Sequence, residues 1–243
     1  MLGNLESDWA IIGLLLGINL YAAMLIVLRG ALFRIAVYRP MLLNLGLSWV
    51  PLLLVIAFWV ATVLLVSRIE GSGWGPALVI GFTVGSLAVW TAFFPNASYL
   101  ITELNFSHRR SDDPVPLWYD IIQTLTLTMA GIINAIISLA AVQLTFVVLA
   151  FPNSDGFTEP WGGWVFALVL LLLGTIGVYI GRFVRLNSWD LVNPARLLRI
   201  LVGHVREPGN ARNVIGFVVT YTVFLALLYV PGCILISEAL FGG

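Results

Sequence analysis

Six long apolar runs, separated by short polar segments, constrain the fold of this 243-residue chain more than any other feature. A helix needs about 20 apolar residues to cross the roughly 30 Å hydrocarbon core of a bilayer. By this rule the predicted spans are Trp9 to Leu28, Leu42 to Val66, Ala77 to Phe94, Trp118 to Phe151, Gly163 to Arg182 and Val214 to Ala239. We therefore predict an all-α polytopic membrane helix bundle, with residues 1–243 forming a single transmembrane domain.

The composition agrees with a membrane protein. Hydrophobic residues make up 60% of the chain and charged residues 10%, whereas soluble domains carry roughly 25% charged residues. The formal net charge is zero, and every cationic side chain is an arginine. Because there is no basic surplus to neutralise phosphates, nucleic acid is not an expected partner. The expected partner is the lipid bilayer.

The distribution of arginine predicts the orientation in the membrane. Arginines follow the first, third and fifth spans, in three groups: Arg29, Arg34 and Arg39; Arg109 and Arg110; Arg182, Arg185, Arg196, Arg199, Arg206 and Arg212. Only Arg68 lies on the other side. Since positively charged loops remain in the cytoplasm, we predict that these three loops are cytoplasmic and that both termini lie outside.

The fourth span is longer than a bilayer requires. Its 34 residues would extend roughly 51 Å as a helix at 1.5 Å per residue. We therefore expect its first residues, including Trp118 and Asp120, to reach the cytoplasmic headgroups. Small residues recur along it at spacings of three and four: Thr124, Thr128, Gly131, Ala135 and Ser138. This pattern predicts a close helix-packing seam.

Three shorter patterns predict local structure. Pro51 predicts a kink near the start of the second span. After the third span, a further helical turn or two would place Asn96, Tyr99 and Glu103 on one face. Between Asn193 and Arg206, arginine alternates with leucine and isoleucine at helical spacing. We expect this segment to form a short interfacial helix on the inner leaflet.

The densest polar chemistry lies at the predicted cytoplasmic ends of the third, fourth and fifth spans. The candidate ligand-binding residues are Asn96, Tyr99, Glu103, Trp118, Asp120, Arg182, Arg185, Asn187, Trp189 and Asp190. Arginines in such a pocket would hold a phosphate or a carboxylate, because the guanidinium donates paired hydrogen bonds. Our leading hypothesis is a site for an anionic ligand such as a phospholipid headgroup.

The same residues also fit several alternatives. Arginine, tryptophan and tyrosine at helix ends often only anchor the helix in the interface. Glu103, Asp120 and Asp190 would then pair with Arg182 or Arg185 to hold helix ends together. A membrane-embedded enzyme would use the same carboxylates as acid, base or metal ligands. A structural or accessory subunit, or a small-solute transporter, remains a further alternative.

Several kinds of site are not expected. The chain has no glycine-rich phosphate loop, no His-x-x-x-His pair and no Gly-x-Ser-x-Gly elbow. It has only His108 and His204, and one cysteine, Cys233. A multi-histidine zinc or haem site and an internal disulfide are therefore excluded. We predict no metal and no cofactor.

Four motifs resemble one known family. They are Asn44 to Pro51, Phe94 to Glu103, Leu117 to Asp120 and Gly177 to Asp190. Together they are similar to the bacterial membrane family called domain of unknown function 1361. The resemblance implies a protein of the bacterial cytoplasmic (inner) membrane with unassigned activity. Where the family pattern has an aspartate, this chain has Glu103, and His108 lies farther along the chain than the family histidine. Both differences argue against a metal-ligand role for this pair.

Overall fold

The computed structural model describes residues 2–69, 73–105, 114–154, 156–184 and 194–241. Its α-helices are α1 (Leu2–Phe33), α2 (Arg39–Ser48), α3 (Val50–Ile69), α4 (Gly75–Phe93), α5 (Pro95–Ser98), α6 (Leu117–Ala150), α7 (Trp161–Tyr179), α8 (Pro194–Arg206) and α9 (Asn210–Phe241). A 3-10 helix, Tyr99–Asn105, follows α5, and a π-helical turn, Ile180–Val184, follows α7. No β-strand occurs within these ranges.

Six helical segments are long and apolar enough to cross a membrane. They are Trp9–Phe33, Arg39–Ile69, Gly75–Asn105, Leu117–Ala150, Trp161–Val184 and Asn210–Ala239. Each overlaps one span predicted from the sequence, so the prediction of an all-α polytopic bundle is confirmed. Helix α8 is the amphipathic helix predicted after the fifth span, although Asn193, the first residue of the predicted segment, lies outside the described residues.

Helix α6 lies at the centre of the bundle. It contacts α1, α2, α3, α5, α7, α9 and the 3-10 helix. All five small residues of its predicted packing seam are buried: Thr124, Thr128, Gly131, Ala135 and Ser138. A Cβ atom added at Gly131 would lie 2.5 Å from the carbonyl oxygen of Ala97. The missing side chain at Gly131 therefore lets the α5 backbone approach α6 closely, as in other membrane helix pairs.

The second span is interrupted at a single residue, Trp49, close to the position where Pro51 predicts a kink. Helix α2 ends at Ser48 and α3 begins at Val50, because Pro51 has no backbone N–H to donate to the preceding turn. The residue at the break, Trp49, donates its indole N–H to Asn19 Oδ1 of α1 at 2.9 Å. Asn19 and Asn134 of α6 exchange amide hydrogen bonds at 2.9 and 3.1 Å. These hydrogen bonds satisfy polar groups for which the hydrocarbon core of a bilayer offers no partner.

The outer surface of the spans is apolar. Leu20, Val63 and Leu227 are 72%, 69% and 69% exposed, which suits contact with lipid chains. Buried polar side chains lie in the interior instead, where they bond between helices: Trp90 of α4 donates to Ser138 Oγ at 2.9 Å, and Tyr229 of α9 donates to Gln143 Oε1 at 2.6 Å. This distribution is the one expected when lipid surrounds the bundle.

Candidate functional site

The arginine-rich end is the end of the bundle where α1 and α7 finish and α6 and α9 begin. Its described arginines are Arg29, Arg34, Arg39, Arg182, Arg196, Arg199, Arg206 and Arg212. Arg68, at the last turn of α3, lies at the opposite end. The segments that follow α4 and α7 and the segment that opens α6 thus share one end of the bundle, as the sequence predicts. The candidate residues are concentrated there.

The segment after α4 packs into a stripe of glycines on α7 and the turn beyond it. Gly174, Gly177 and Gly181 recur at intervals of three and four residues. A Cβ atom at Gly174 would lie 2.6 Å from the ring of Phe94, and one at Gly177 would overlap Pro95. At Gly181 it would lie 3.8 Å from the ring of Tyr99. Two motifs that are far apart in sequence are therefore brought into direct contact.

The π-helical turn continues this contact into a group of aromatic side chains. Tyr179 and Phe183 both lie against Phe217 of α9, each with 5.5 Å between ring centroids. Phe217 stacks on Tyr221 at 4.9 Å, and Tyr221 donates its hydroxyl to the Ser98 carbonyl oxygen at 2.6 Å. The end of α7, the start of α9 and α5 are thereby held together. Arg182 lies within this turn and is half-buried.

Tyr179 also connects α7 with the amphipathic helix. Its hydroxyl lies 3.0 Å from Nε2 of His204, in the last turn of α8. His204 in turn is held by Asn210, whose amide donates to the His204 carbonyl oxygen at 3.0 Å. Helix α8 is therefore attached at its C-terminal end to the same surface that carries Arg182.

Glu103 is buried among helices, with 5% of its surface exposed. It lies in the 3-10 helix and accepts a hydrogen bond at Oε1 from the Asn44 amide of α2, over 2.8 Å. The predicted helical turns after the third span are present, but they are 3-10 in the part that holds Glu103. With about three residues per turn, Glu103 lies about 120° around the helix axis from Tyr99, so these two residues do not share a face. Asn96 and Tyr99 are half-buried.

Asp120 does not reach the headgroups as an exposed residue. It is fully buried in the first turn of α6, and its Oδ1 accepts a hydrogen bond from Arg29 Nε at 2.8 Å. The sequence suggests Arg182 or Arg185 as the partner of this carboxylate, whereas its described partner is Arg29 of α1; Arg185 lies outside the described residues. The physical reason is the position of Arg29, four residues before the end of α1, beside the start of α6.

The remaining candidates divide into two groups. Trp118 is 64% exposed and contacts Tyr119 edge-on, an arrangement that suits a side chain at the lipid interface. Arg185, Asn187, Trp189 and Asp190 lie outside the described residues. Their part in a shared pocket therefore stays a prediction.

Several residues that contact the candidates or lie near them do not stand out in the sequence. Arg29 was assigned only to membrane orientation, and Asn44 only to the motif near Pro51. Gln123 and His204 carried no local pattern that points to a partner. A usable signal existed for Gln123, because it is a polar side chain three residues from Asp120 on a helix that the sequence already places in the membrane.

The described part of the chain holds no group of three or more His, Cys, Asp or Glu side chains that could bind a metal ion together. The arginine-rich end carries the half-buried guanidinium of Arg182 at a helix end, the attached basic helix α8 and the aromatic group around Phe217. Such a surface can hold an anion by charge and by paired hydrogen bonds.

Six apolar helices packed around a central one define an integral, multi-pass membrane protein that is embedded in a lipid bilayer. Within this class the chain belongs to the family described as Protein of unknown function (DUF1361), whose sequence profile matches residues 43–228. The match covers all four motifs, which agrees with the resemblance seen in the sequence. Neither a curated protein nor a solved structure matches the chain.

Proposed function

We propose that the arginine-rich end binds an anionic ligand, and that a phospholipid headgroup of the surrounding bilayer is this ligand. The observation that carries the proposal is the 3.0 Å contact between the Tyr179 hydroxyl and His204 Nε2. It holds the basic helix α8 against the end of α7, three residues before Arg182. Cations from two elements are thus available to one headgroup region.

Helix α8 has the two faces that an interfacial helix needs. Arg196, Arg199 and Arg206 are exposed and, at 100° per residue, project from one side of the helix. Leu201, which is half-buried, and Val205, which is 42% exposed, lie toward the other side. A helix in the plane of the membrane directs its arginines to phosphates and its apolar side chains to acyl chains.

The partners of the nearby carboxylates support an anionic ligand. Among the described residues, Arg182 has no carboxylate within ion-pair distance. Asp120 is held by Arg29, and Glu103 by Asn44. The charge of Arg182 is thus left to attract an anion, and phosphate oxygens match the geometry of a guanidinium. No contact among the described residues favours the enzymatic alternative over this proposal.

The test compares the lipids that co-purify with the protein and with its variants. Wild type, Arg182→Ala/Arg185→Ala and Arg199→Ala/Arg206→Ala would be purified in mild detergent, and their bound lipids compared by mass spectrometry. We expect both double variants to lose most of the anionic lipid while retaining zwitterionic lipid. The control is Arg68→Ala, which removes an exposed arginine at the opposite end. Equal retention of anionic lipid in all four proteins would count against the proposal.

We further propose that the arginine-rich end faces the cytoplasm of a bacterial inner membrane, with both termini on the periplasmic side. The support is the concentration of arginine at this end, with Arg68 as the exception. A reporter that is active only in the cytoplasm should be active when it is inserted between Pro208 and Gly209. A reporter that is active only in the periplasm should be active when it is inserted after Trp74. The reverse result would place the proposed headgroup site in the outer leaflet.

A further inference from the structure

Glu103 is a buried carboxylate without a cationic neighbour in the described part of the chain. Its only described partner is the neutral amide of Asn44, at 2.8 Å. Asp120, the other buried acid in this region, is by contrast matched by the arginine Arg29. A carboxylate inside a membrane bundle is costly unless a positive charge or a proton balances it. Glu103 therefore requires either a proton or a cation, and its described neighbours supply no cation.

A second buried side chain in this region has an oxygen without a hydrogen-bond partner among the described residues. Gln123 of α6 is fully buried, and its amide nitrogen lies 3.3 Å from the sulfur of Met41 on α2. Its amide oxygen, Oε1, has no hydrogen-bond donor among the residues described. A buried acceptor left unpaired in this way costs stability unless something outside the protein fills the position.

The helix registers bring Glu103 and Gln123 into the same region of the bundle. Met41 and Asn44 lie three residues apart on one face of α2, and they contact Gln123 and Glu103 respectively. The Gln123 amide group, through its nitrogen, and the Glu103 carboxylate thus face positions one helical turn apart on α2.

The position of Glu103 along α6 also places it near Gln123. The segment from α5 into the 3-10 helix runs antiparallel to α6. Ala97 lies against Gly131, and three residues later the Leu100 carbonyl oxygen accepts a hydrogen bond from Thr128 at 3.4 Å. From Leu100 to Glu103 the 3-10 helix advances about 6 Å, the same distance as four residues of α6. Glu103 is therefore level with Thr124, next to Gln123.

We propose that this region, between α2, the 3-10 helix and α6, binds a monovalent alkali-metal cation through the Glu103 carboxylate and the Gln123 amide oxygen. Carboxylate and amide oxygens are the ligands that hard metal ions take in proteins. One carboxylate balances one positive charge, and a divalent ion would leave an uncompensated charge in the bundle. The site is independent of the headgroup proposal, because neither Arg182 nor α8 takes part in it.

The test is the stability and ion binding of the purified full-length protein. Thermal unfolding would be followed by tryptophan fluorescence in NaCl, KCl and choline chloride at equal ionic strength, and binding measured directly with radioactive sodium-22. For wild type we expect a saturable rise in Tm in NaCl or KCl relative to choline, because a ligand that binds only the folded state stabilises it. Sodium-22 should bind saturably and be displaced by unlabelled Na⁺ or K⁺.

Two variants remove the proposed ligands with little change in volume. Glu103→Gln should abolish the ion-specific rise in Tm, and Gln123→Leu should raise the apparent Kd at least about tenfold, a loss on the scale of one good contact. Glu159→Gln changes an exposed loop carboxylate and should behave like wild type.

Three results would overturn the proposal. The first is an equal Tm in alkali and choline salts for wild type, which would leave Glu103 balanced by a proton. The second is an ion response that persists unchanged in both ligand variants. The third is stabilisation by Mg²⁺ or Ca²⁺ alone. If both variants fail to fold, wild-type protein that binds neither Na⁺ nor K⁺ saturably is sufficient to reject the site.

Discussion

Arg29 of α1 and Asp120 of α6 form an ion pair of 2.8 Å, in which the side chains are 5% and 0% exposed. Next to it, the Tyr119 hydroxyl donates to the Leu25 carbonyl oxygen at 2.8 Å, so two consecutive residues of α6 are bonded to α1. A buried charge pair requires accurate geometry, because both ions have lost their hydration. The pair therefore determines where the end of α1 lies against the central helix.

Breaking this pair on one side should be more harmful than removing it completely. Asp120→Leu leaves the Arg29 guanidinium buried without its carboxylate, and we expect a loss of about 3–5 kcal/mol. The double variant Arg29→Met/Asp120→Leu should recover most of that loss. The measurement is the thermal unfolding midpoint in detergent, with Arg68→Met as the control for an exposed arginine. A double variant less stable than Asp120→Leu would refute this role of the pair.

Gly131 should tolerate a methyl group poorly. Alanine is a better helix former than glycine by about 0.5–1 kcal/mol in open surroundings. At Gly131, however, the new Cβ would lie 2.5 Å from the Ala97 carbonyl oxygen, a backbone atom that cannot rotate away. We expect Gly131→Ala to lower stability by about 1–3 kcal/mol through overpacking.

The matched control is Gly85→Ala on α4, where no heavy atom lies within 4 Å of the added Cβ. This variant should unfold at the same temperature as wild type or slightly higher. Equal midpoints for the two alanine variants would show that the close approach at Gly131 does not limit stability.

The features that could be predicted from sequence are those that depend on local patterns. Span number and type follow from the length of apolar runs, and the α6 seam follows from small residues at spacings of three and four. The break before Pro51 follows from a missing N–H. In each case the residues that carry the signal are neighbours on one helix.

Contacts between helices could not be predicted in the same way. Arg29 and Asp120 are 91 residues apart, and Asn44 and Glu103 are 59 apart. Membrane orientation already explains an arginine at the end of a span. Its presence therefore does not indicate a partner on another helix. The 3-10 helix around Glu103 lies against α2 and α6, and no local residue preference indicates its geometry.

Asn134 should stabilise the break between α2 and α3. Its amide nitrogen donates to Asn19 Oδ1 at 3.1 Å and to Ser48 Oγ at 2.8 Å. Asn134→Leu keeps a similar side-chain shape but leaves these two oxygens with fewer donors, so we expect a loss of about 1–2 kcal/mol. Exposed Asn153 offers a control, Asn153→Ala, which should change stability little.

A double-mutant cycle with Asn19→Leu separates the interaction from the substitutions themselves. If Asn19 and Asn134 act as a pair, the double variant should be more stable than the sum of the two single losses predicts. Simple additivity would mean that the two amides contribute independently.

Tyr179→Phe should loosen helix α8 without disturbing the bundle. The substitution keeps the ring contact with Phe217 but removes the hydroxyl that lies 3.0 Å from His204 Nε2. A neutral hydrogen bond is worth about 0.5–1.5 kcal/mol, so the ratio of attached to detached α8 should fall roughly 2- to 10-fold. Hydrogen–deuterium exchange followed by mass spectrometry should therefore accelerate in residues 194–206 and remain unchanged in α6.

The control for this experiment is Tyr21→Phe, which removes a hydroxyl from a side chain of α1 that is 43% exposed. It should leave exchange in α8 at the wild-type rate. If the headgroup proposal is also correct, Tyr179→Phe should retain less anionic lipid than Tyr21→Phe, because the arginines of α8 are then less often held beside Arg182. Faster exchange with unchanged lipid retention would separate the two proposals: α8 would be attached through Tyr179, yet its arginines would not contribute to binding the anion.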